Sequence, residues 1–219
     1  MRPFPLRIPA AICLAAATLL LPQAGCGTLS TVAYWIKGNK IDAKFTGLEG
    51  KRVAVVCLDA NSLKGPGGEA SHIARMVSTL LGYNVKEATI VRQSEVADWF
   101  DNHDQDVADY GDIGRGVKAD MVVGIDLEGF SIHEGQTLLK GRAAVATRVY
   151  DMQRGGEVVY ESPVREISWP ESGARHVTEN EANFRTAFIH TLSQKIARDF
   201  FAYDKVDDFG LDAAYLGNN

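Results

Sequence analysis

The sequence predicts a mixed α/β domain with a single β-sheet of about five strands and helices packed against it. The run Val53–Leu58 is apolar on both faces, which is typical of a central strand covered on both sides, and Met121–Leu127 indicates another interior strand. Segments of helical periodicity lie between and after these runs. The order of elements is β, α, β, α, α, β, β, β, α, which predicts a mixed sheet rather than separate layers of one kind.

The first strand and helix predict a βαβ unit. An apolar stripe at helical spacing marks the helix, and Gly82 is expected to end it as a C-cap. The stripe consists of Ala70, Ile73, Ala74, Val77, Leu80 and Leu81. A short strand, Ala88–Val91, follows, so a right-handed crossover connects two parallel strands.

The middle of the chain predicts two helices and a hairpin. Ser94 can cap a short helix, and a second helical stretch runs from about Val107 to Val117. The alternating strand Ala143–Val149 then turns at Arg154–Gly156 into Val158–Tyr160, which predicts a β-hairpin.

The clearest helix is the last one. Thr178 and Glu181 form a possible capping box at its start. Its apolar residues recur every four positions, which predicts one buried face. They are Phe184, Phe188, Leu192, Ile196 and Phe200.

The first 25 residues read as an export signal. Arg2 and Arg7 give it a positive start, and the 14-residue apolar run Ile8–Leu21 is short for a membrane span, which needs about 20 apolar residues. Ala24 and Gly25 place small residues before Cys26, and this pattern resembles the bacterial lipobox. That resemblance implies cleavage before Cys26 and acylation of its thiol. Gln23 departs from the aliphatic residue usual there, and a plain secreted protein or a retained signal anchor are the alternatives.

This reading divides the chain into four parts. Residues 1–25 are the signal peptide, residues 26–50 the lipid anchor and linker, residues 51–203 the mixed α/β domain, and residues 204–219 a C-terminal tail. The linker contains an amphipathic turn or two. Two interpretations of it stay open: it lies on the lipid surface, or it packs on the domain or is disordered.

Charge and cysteine usage restrict the possible partners. The chain has a net charge of −5, and removal of residues 1–25, which contain two arginines and no acids, makes it −7. An acidic domain is a poor nucleic-acid binder, so we expect membrane attachment through acyl chains on Cys26 rather than through a basic face. Cys57 would be the only other cysteine after cleavage, which precludes an intramolecular disulfide. It lies in an apolar strand, which favours a buried small hydrophobe over a reactive thiol.

The order of elements behind the lipobox is similar to the curli-secretion-lipoprotein-like fold, which also occurs in penicillin-binding-protein activator lipoproteins and in the N-terminal domain of the Tol translocation protein. The resemblance covers about residues 50–203 and depends on four features. They are the strand ending at Asp59, Ala119–Gly124, the Ala-rich strand ending in Arg148–Asp151, and the return at Gly156–Val159. It implies a non-enzymatic protein of the bacterial envelope that faces the periplasm or exterior. Such a protein binds an envelope protein or assembles with itself.

The main alternative function is binding of a small ligand or nucleotide by the Gly-rich loop 61–69. Gly65, Gly67 and Gly68 lie before a helix, where backbone amides can bind a pyrophosphate. The loop begins too far after the strand for a regular dinucleotide fingerprint. We therefore expect no cofactor.

Neither a metal site nor a catalytic constellation is expected. The stretch Asp98–Asp112 is rich in aspartates, but it lacks the alternation and the central glycine of a calcium loop. The histidines are scattered singly, without metal-ligand spacing. An envelope hydrolase, assembled from distant residues, is the weaker alternative.

One further residue is a candidate for partner binding. Trp169 precedes Pro170 in what reads as a connection between the last strand and the last helix. An exposed Trp there would suit an interface anchor, and the alternative is a ring folded back over the sheet.

Overall fold

The structure is a computed structural model that describes residues 40–59, 68–103, 109–171, 173–176 and 180–205. It confirms the predicted α/β fold with a mixed sheet. The residues from Ile41 onward belong to one compact unit. Cys26, Gly65 and Gly67 lie outside the described residues, as does Thr178 of the predicted capping box.

The described elements follow the predicted order, with short strands added at both ends. The strands are β1 (Lys40–Ile41), β2 (Arg52–Asp59), β3 (Thr89–Ile90), β4 (Met121–Glu134), β5 (Leu138–Asp151), β6 (Glu157–Trp169), β7 (Arg175–His176) and β8 (Tyr203–Asp204). The helices are α1 (Gly68–Asn84), α2 (Gln93–Asp101), α3 (Tyr110–Gly116) and α4 (Glu181–Ala197), and a 3-10 turn spans Met152–Arg154.

The main sheet has the strand order β3-β2-β4-β5-β6, with β7 pairing with β5 beside the end of β6. The strands β3, β2 and β4 are parallel, whereas β4, β5 and β6 are antiparallel. Val55 of β2 lies opposite Val123 of β4, which in turn lies opposite Val149 of β5. The runs Val53–Leu58 and Met121–Leu127, predicted as interior strands, therefore lie in neighbouring central strands.

One face of the sheet packs against α1 and α4 along its whole width, and we call it the covered face. The apolar stripe of α1 and the phenylalanines of α4 meet alternate residues of β2, β4 and β5 in the main core. Phe184 and Phe188 are fully buried. Asn180 caps α4, because its Oδ1 accepts hydrogen bonds from the amides of Ala182 and Asn183.

The other face carries α2 and α3, which cover less of it. Their buried residues Val96, Phe100 and Ile113 pack on Ala54 and Val56 of β2 and on the start of β4. Tyr110 of α3 stacks on Tyr150 near the end of β5, with ring centroids 5.2 Å apart. On this side the remaining residues of β5 are half-buried or exposed, except for the buried Ala146.

Residues 41–50 form an N-terminal strap that packs on the domain. The backbone amides of Lys44 and Phe45 both donate to the carbonyl of Asp199, at 2.9 and 3.0 Å, and Leu48 is fully buried. Of the two open interpretations of the linker, this part of it shows packing, so the folded region extends before the predicted boundary at residue 51. The Asp199 carboxylate also accepts from Lys44 Nζ at 2.8 Å and from Arg165 Nη2 at 2.8 Å.

Two predicted helix ends are wrong. Helix α1 continues past Gly82 to Asn84, because the amide of Val85 still donates to the carbonyl of Leu81. Gly82 instead allows close approach to β3, since a Cβ there would lie 3.3 Å from Ile90. Helix α2 begins at Gln93, with Arg92 rather than Ser94 at the N-cap.

Candidate partner-binding surface

The exposed side of β4, β5 and β6 beyond the reach of α3 is the candidate surface, and we call it the open face. Strand alternation places one set of side chains on it. They are Asp126, Gly129 and Ser131 of β4, Lys140, Arg142, Ala144 and Arg148 of β5, and Glu161, Glu166 and Ser168 of β6. These side chains are polar or small. They therefore do not form an apolar surface against which another helix of the domain could pack.

An ionic network around Asp126 lies at the end of the open face nearest α3. The hydroxyl of Tyr110 donates to Asp126 Oδ1 at 2.7 Å and to the carbonyl of Ile125 at 3.1 Å. Arg148 donates to Asp126 Oδ2 at 2.8 Å and to Glu161 Oε1 at 2.9 Å. The network therefore ties α3 to three strands of the sheet.

The network keeps Tyr110 and Arg148 protonated. Burial, together with the Asp126 carboxylate, raises the pKa of Tyr110, so its hydroxyl remains a donor. The hydrogen bond to Glu161 raises the pKa of Arg148. Because both oxygens of Asp126 already accept hydrogen bonds, this carboxylate is a structural anchor rather than an available base.

Farther from α3 along the same strands, the open face contains a depression of about 600 Å³. It exists because Gly129 and Ala144 lie opposite each other in the β4–β5 pair and have little or no side chain. A Cβ built at Gly129 would find no atom within 4 Å. The lining residues are Gly129, Phe130, Ser131, Lys140, Arg142, Ala143, Ala144, Glu166, Ile167 and Ser168.

Only some of the charged side chains around the depression form ion pairs within the chain. Arg142 forms an ion pair with Glu134 on the neighbouring strand. Lys140 and Glu166 also line the depression, and in the part of the chain that the structure describes neither has an ion-pair partner. One ammonium and one carboxylate are therefore available to a bound molecule.

A second depression, of about 460 Å³, lies on the other side of the β6 segment 166–168. The buried Asp199 carboxylate lies there with Arg165 and Lys44, and Lys195 donates to Glu171 at 2.8 Å. Its charges are thus largely paired within the chain, which makes it a structural ionic cluster rather than a free site.

Of the predicted glycine loop, the described residues contain only its end. Gly68 is the first residue of α1 and has a φ of +53°, a conformation that glycine adopts easily. Next to it, Glu69 forms an ion pair with Arg185 of α4. A carboxylate in the first turn occupies the position that favours an anion, so Glu69 competes with a phosphate there.

The structure corrects the position of Trp169. This residue is the last of β6 rather than part of a connection, and it lies opposite Gly141 of β5. Its ring is 1% exposed and packs on Phe184 at a centroid distance of 5.1 Å. Strand alternation turns it towards the covered face, so it is a core residue and not an exposed anchor.

Cys57 is fully buried in β2, and burial raises the pKa of its thiol, with smaller contributions from Asp126 and Asp59. Asp104 and Asp106 of the acidic stretch lie outside the described residues. Among the residues that are described, no three His, Cys, Asp or Glu side chains group in a way that could hold a metal ion.

Sequence reasoning missed the depression. The sequence does indicate that one face of this strand is exposed, because Arg142, Ala144 and Arg148 alternate with apolar residues. What the pattern does not show is which residues of β4 and β6 lie beside them.

No protein-family model matches the chain, and no curated protein matches it. Among solved structures, it is similar to lipoprotein GNA1162 from Neisseria meningitidis, with 11% identity, a TM-score of 0.42 and coverage of 67% of this chain and 97% of that one. It is also similar to the PelC dodecamer from Paraburkholderia phytofirmans (11% identity, TM-score 0.39, coverage 73% and 93%). The LpoB C-terminal domain from Salmonella enterica matches with 17% identity, a TM-score of 0.35 and coverage of 62% and 91%.

Further structures similar to this chain include a minor lipoprotein from Acinetobacter baumannii and a lipoprotein from Caulobacter crescentus. Several of these similar structures are lipoproteins, the class that the sequence also resembles. A search of the described helices for one long and apolar enough to cross a bilayer finds none.

Proposed function

We propose that this chain is a non-enzymatic, lipid-anchored protein of the bacterial cell envelope whose domain binds a partner protein or assembles with itself. Removal of residues 1–25 would leave an acylated Cys26 at the start of the mature chain. The acyl chains would hold the protein on a membrane, with the domain facing the periplasm or exterior. Two or more chains are needed for stable attachment.

The observation that carries the proposal is the open face. Three neighbouring strands present an exposed surface with a depression of about 600 Å³, while the opposite face of the same strands is buried by α1 and α4. The adjoining edge strand β6 adds two exposed apolar side chains, Val158 at 43% and Val164 at 50%. Protein interfaces taken as a whole are about as polar as the rest of a protein surface, so a polar depression on a sheet face that also has exposed apolar side chains is compatible with one.

The edge of β6 favours partner binding on the face of the sheet over addition of a strand. Pro163 lies within β6, and the pairing of β6 with β5 shifts register at two places. Proline and bulges are features that protect an edge strand from pairing with another chain. The edge strand is thus protected, while the face beside it is accessible.

The anchor would restrict where the domain can act. About 14 residues separate Cys26 from Lys40, and fully extended they span at most about 50 Å. A partner in the same membrane or in the layer next to it would meet the domain at a raised effective concentration.

Cys57 and Tyr110 could in principle serve as a nucleophile or a proton donor. Their surroundings support a non-enzymatic role. Cys57 is buried with a raised pKa, and Tyr110 is committed to its hydrogen bonds with Asp126 and Ile125. Both positions favour structural roles for these side chains.

The anchor is tested by intact mass and membrane fractionation of wild type beside Cys26→Ser in a bacterial host. We expect wild type to begin at an acylated Cys26 and the variant to leave the membrane fraction. A wild-type chain that begins at another residue, or a variant that remains membrane-bound, would contradict the anchor.

The binding surface is tested by a photo-crosslinking amino acid in intact cells. It is placed at Ser168 on the open face or, as a matched control, at Tyr83 of α1, which is 87% exposed. We expect a discrete protein adduct at Ser168 that is absent at Tyr83 and decreases when Gly129→Val fills the depression. Equal adducts at both positions would refute a specific open-face interface.

A further inference from the structure

The two unpaired charges of the depression lie at opposite ends of it. The β5–β6 register pairs Ala144 with Glu166 and Arg142 with Ser168. Lys140 is four residues before Ala144 on the same face, which places the Cα atoms of Lys140 and Glu166 about 14 Å apart, from strand rise and strand spacing. Both side chains are long and line the depression, so their charges can approach each other more closely than their Cα atoms.

Polar groups suited to a peptide backbone lie between these charges. Ser131 and Ser168 are the β4 and β6 neighbours of Arg142, and both are exposed. Their hydroxyls can donate to and accept from amide groups. The floor at Gly129 and Ala144 leaves space for an extended chain above it.

We propose that this depression binds an extended peptide segment that carries a carboxylate and a cation separated by about three residues, or about 10 Å of extended chain. The carboxylate binds Lys140, assisted by the neighbouring Arg142, and the cationic side chain binds Glu166. This inference rests on the proposed function and specifies the chemistry of its partner. The carboxylate can be the C-terminus of a chain or an acidic side chain, and the test distinguishes these two sources.

The test measures fluorescence anisotropy of labelled peptides with detergent-purified full-length protein. The first probe is Ala-Lys-Ala-Ala-Ala with a free C-terminal carboxylate, and the second is the same peptide amidated. The third is the amidated peptide Ala-Lys-Ala-Ala-Ala-Glu, whose lysine and glutamate lie on the same face of an extended chain. We expect the first to bind and amidation to weaken binding. If the third regains affinity, the site accepts a side-chain carboxylate; if it does not, the site requires a chain end.

Variants then assign each charge. Lys140→Met and Glu166→Gln should each weaken binding about two- to fivefold, as expected for exposed ion pairs. Glu166→Gln should have no effect on a peptide with alanine in place of its lysine. Gly129→Val should weaken binding at least about tenfold, because it adds a branched side chain to the floor of the depression, at a position where a Cβ has no atom within 4 Å. Lys86→Met and Glu49→Gln, at exposed positions elsewhere, are the controls.

Two results would overturn the proposal. One is the absence of binding by any of the three peptides at about 1 mM. The other is wild-type affinity in the Lys140, Glu166 and Gly129 variants. Since these measurements do not depend on acylation, their failure is distinguishable from failure of the membrane anchor, which the Cys26→Ser fractionation reports.

Discussion

Two glycines of the β4–β5 hairpin give a direct test of which face of the sheet is covered. Gly141 of β5 faces α4, and a Cβ built there would lie far inside van der Waals contact with the ring of Phe188. Gly129 of β4 faces the opposite way and has no atom within 4 Å of its Cβ position. Substitution of each by alanine adds the same methyl group to the same hairpin, on opposite faces.

The expected difference between the two variants follows from this geometry. Replacement of a strand glycine by alanine reduces the entropy of the unfolded chain, which favours folding by about 0.5–1 kcal/mol at either site. This contribution is common to both variants and cancels in their difference. What remains is the overpacking of Phe188, which costs about 1–3 kcal/mol in a well-packed core. Gly141→Ala should therefore be less stable than Gly129→Ala by about 1–3 kcal/mol.

The assay is urea unfolding of both variants and wild type, followed by circular dichroism. Equal denaturant slopes would show that the same surface is exposed on unfolding, so that the midpoints report stability. If Gly129→Ala were as destabilised as Gly141→Ala, the open face would be packed against something. The candidate surface would then be wrong.

Three further predictions concern buried or paired groups. Asp199→Ala leaves the guanidinium of Arg165, whose side chain is 26% exposed, without its carboxylate and should cost about 2–3 kcal/mol in urea unfolding; a loss under about 1 kcal/mol would contradict a buried ion pair. The hydrogen bond from Arg92 lowers the pKa of Glu95, so its stabilisation is present above the usual glutamate range and is lost as pH falls through the lowered pKa. The Tm of wild type should therefore fall more steeply than that of Glu95→Gln below about pH 4.5, and parallel curves would refute the effect. In protein whose other two cysteines are serine, Cys57 should react with a thiol reagent only after unfolding, because burial suppresses its thiolate; rapid labelling of the native state would contradict this.

The fold was predictable because its central strands carry a strong signal. Val53–Leu58 is apolar throughout, and Asp126 is the one charged residue in Met121–Leu127, because most of both runs is buried on both faces of the sheet. The last helix has a regular four-residue repeat that matches its buried side. Such patterns reflect burial, which is decided mainly within each element.

The site was much harder to predict because it depends on pairing between elements. Lys140 and Glu166 belong to different strands, and only the β5–β6 register brings them to one depression. Trp169 illustrates the same difficulty. Its neighbour Pro170 suggested a connection, whereas the pairing with Gly141 extends β6 to this residue and buries its ring.

The contacts of Asp199 have a consequence for the order in which the protein folds. Asp199 binds the strap through Lys44 and Phe45. These two residues are synthesised near the beginning of the described chain, whereas Asp199 is synthesised near its end. During synthesis, or during passage through a membrane, the strap therefore emerges long before the residue that holds it. The contacts of the strap with Asp199 can form only after α4 has been made, and their closure is expected to be a late event with a large loop to close. A chain truncated before Asp199 should accordingly lose more than its last turn, because the strap would also lose its hydrogen bonds and its ion pair with Asp199.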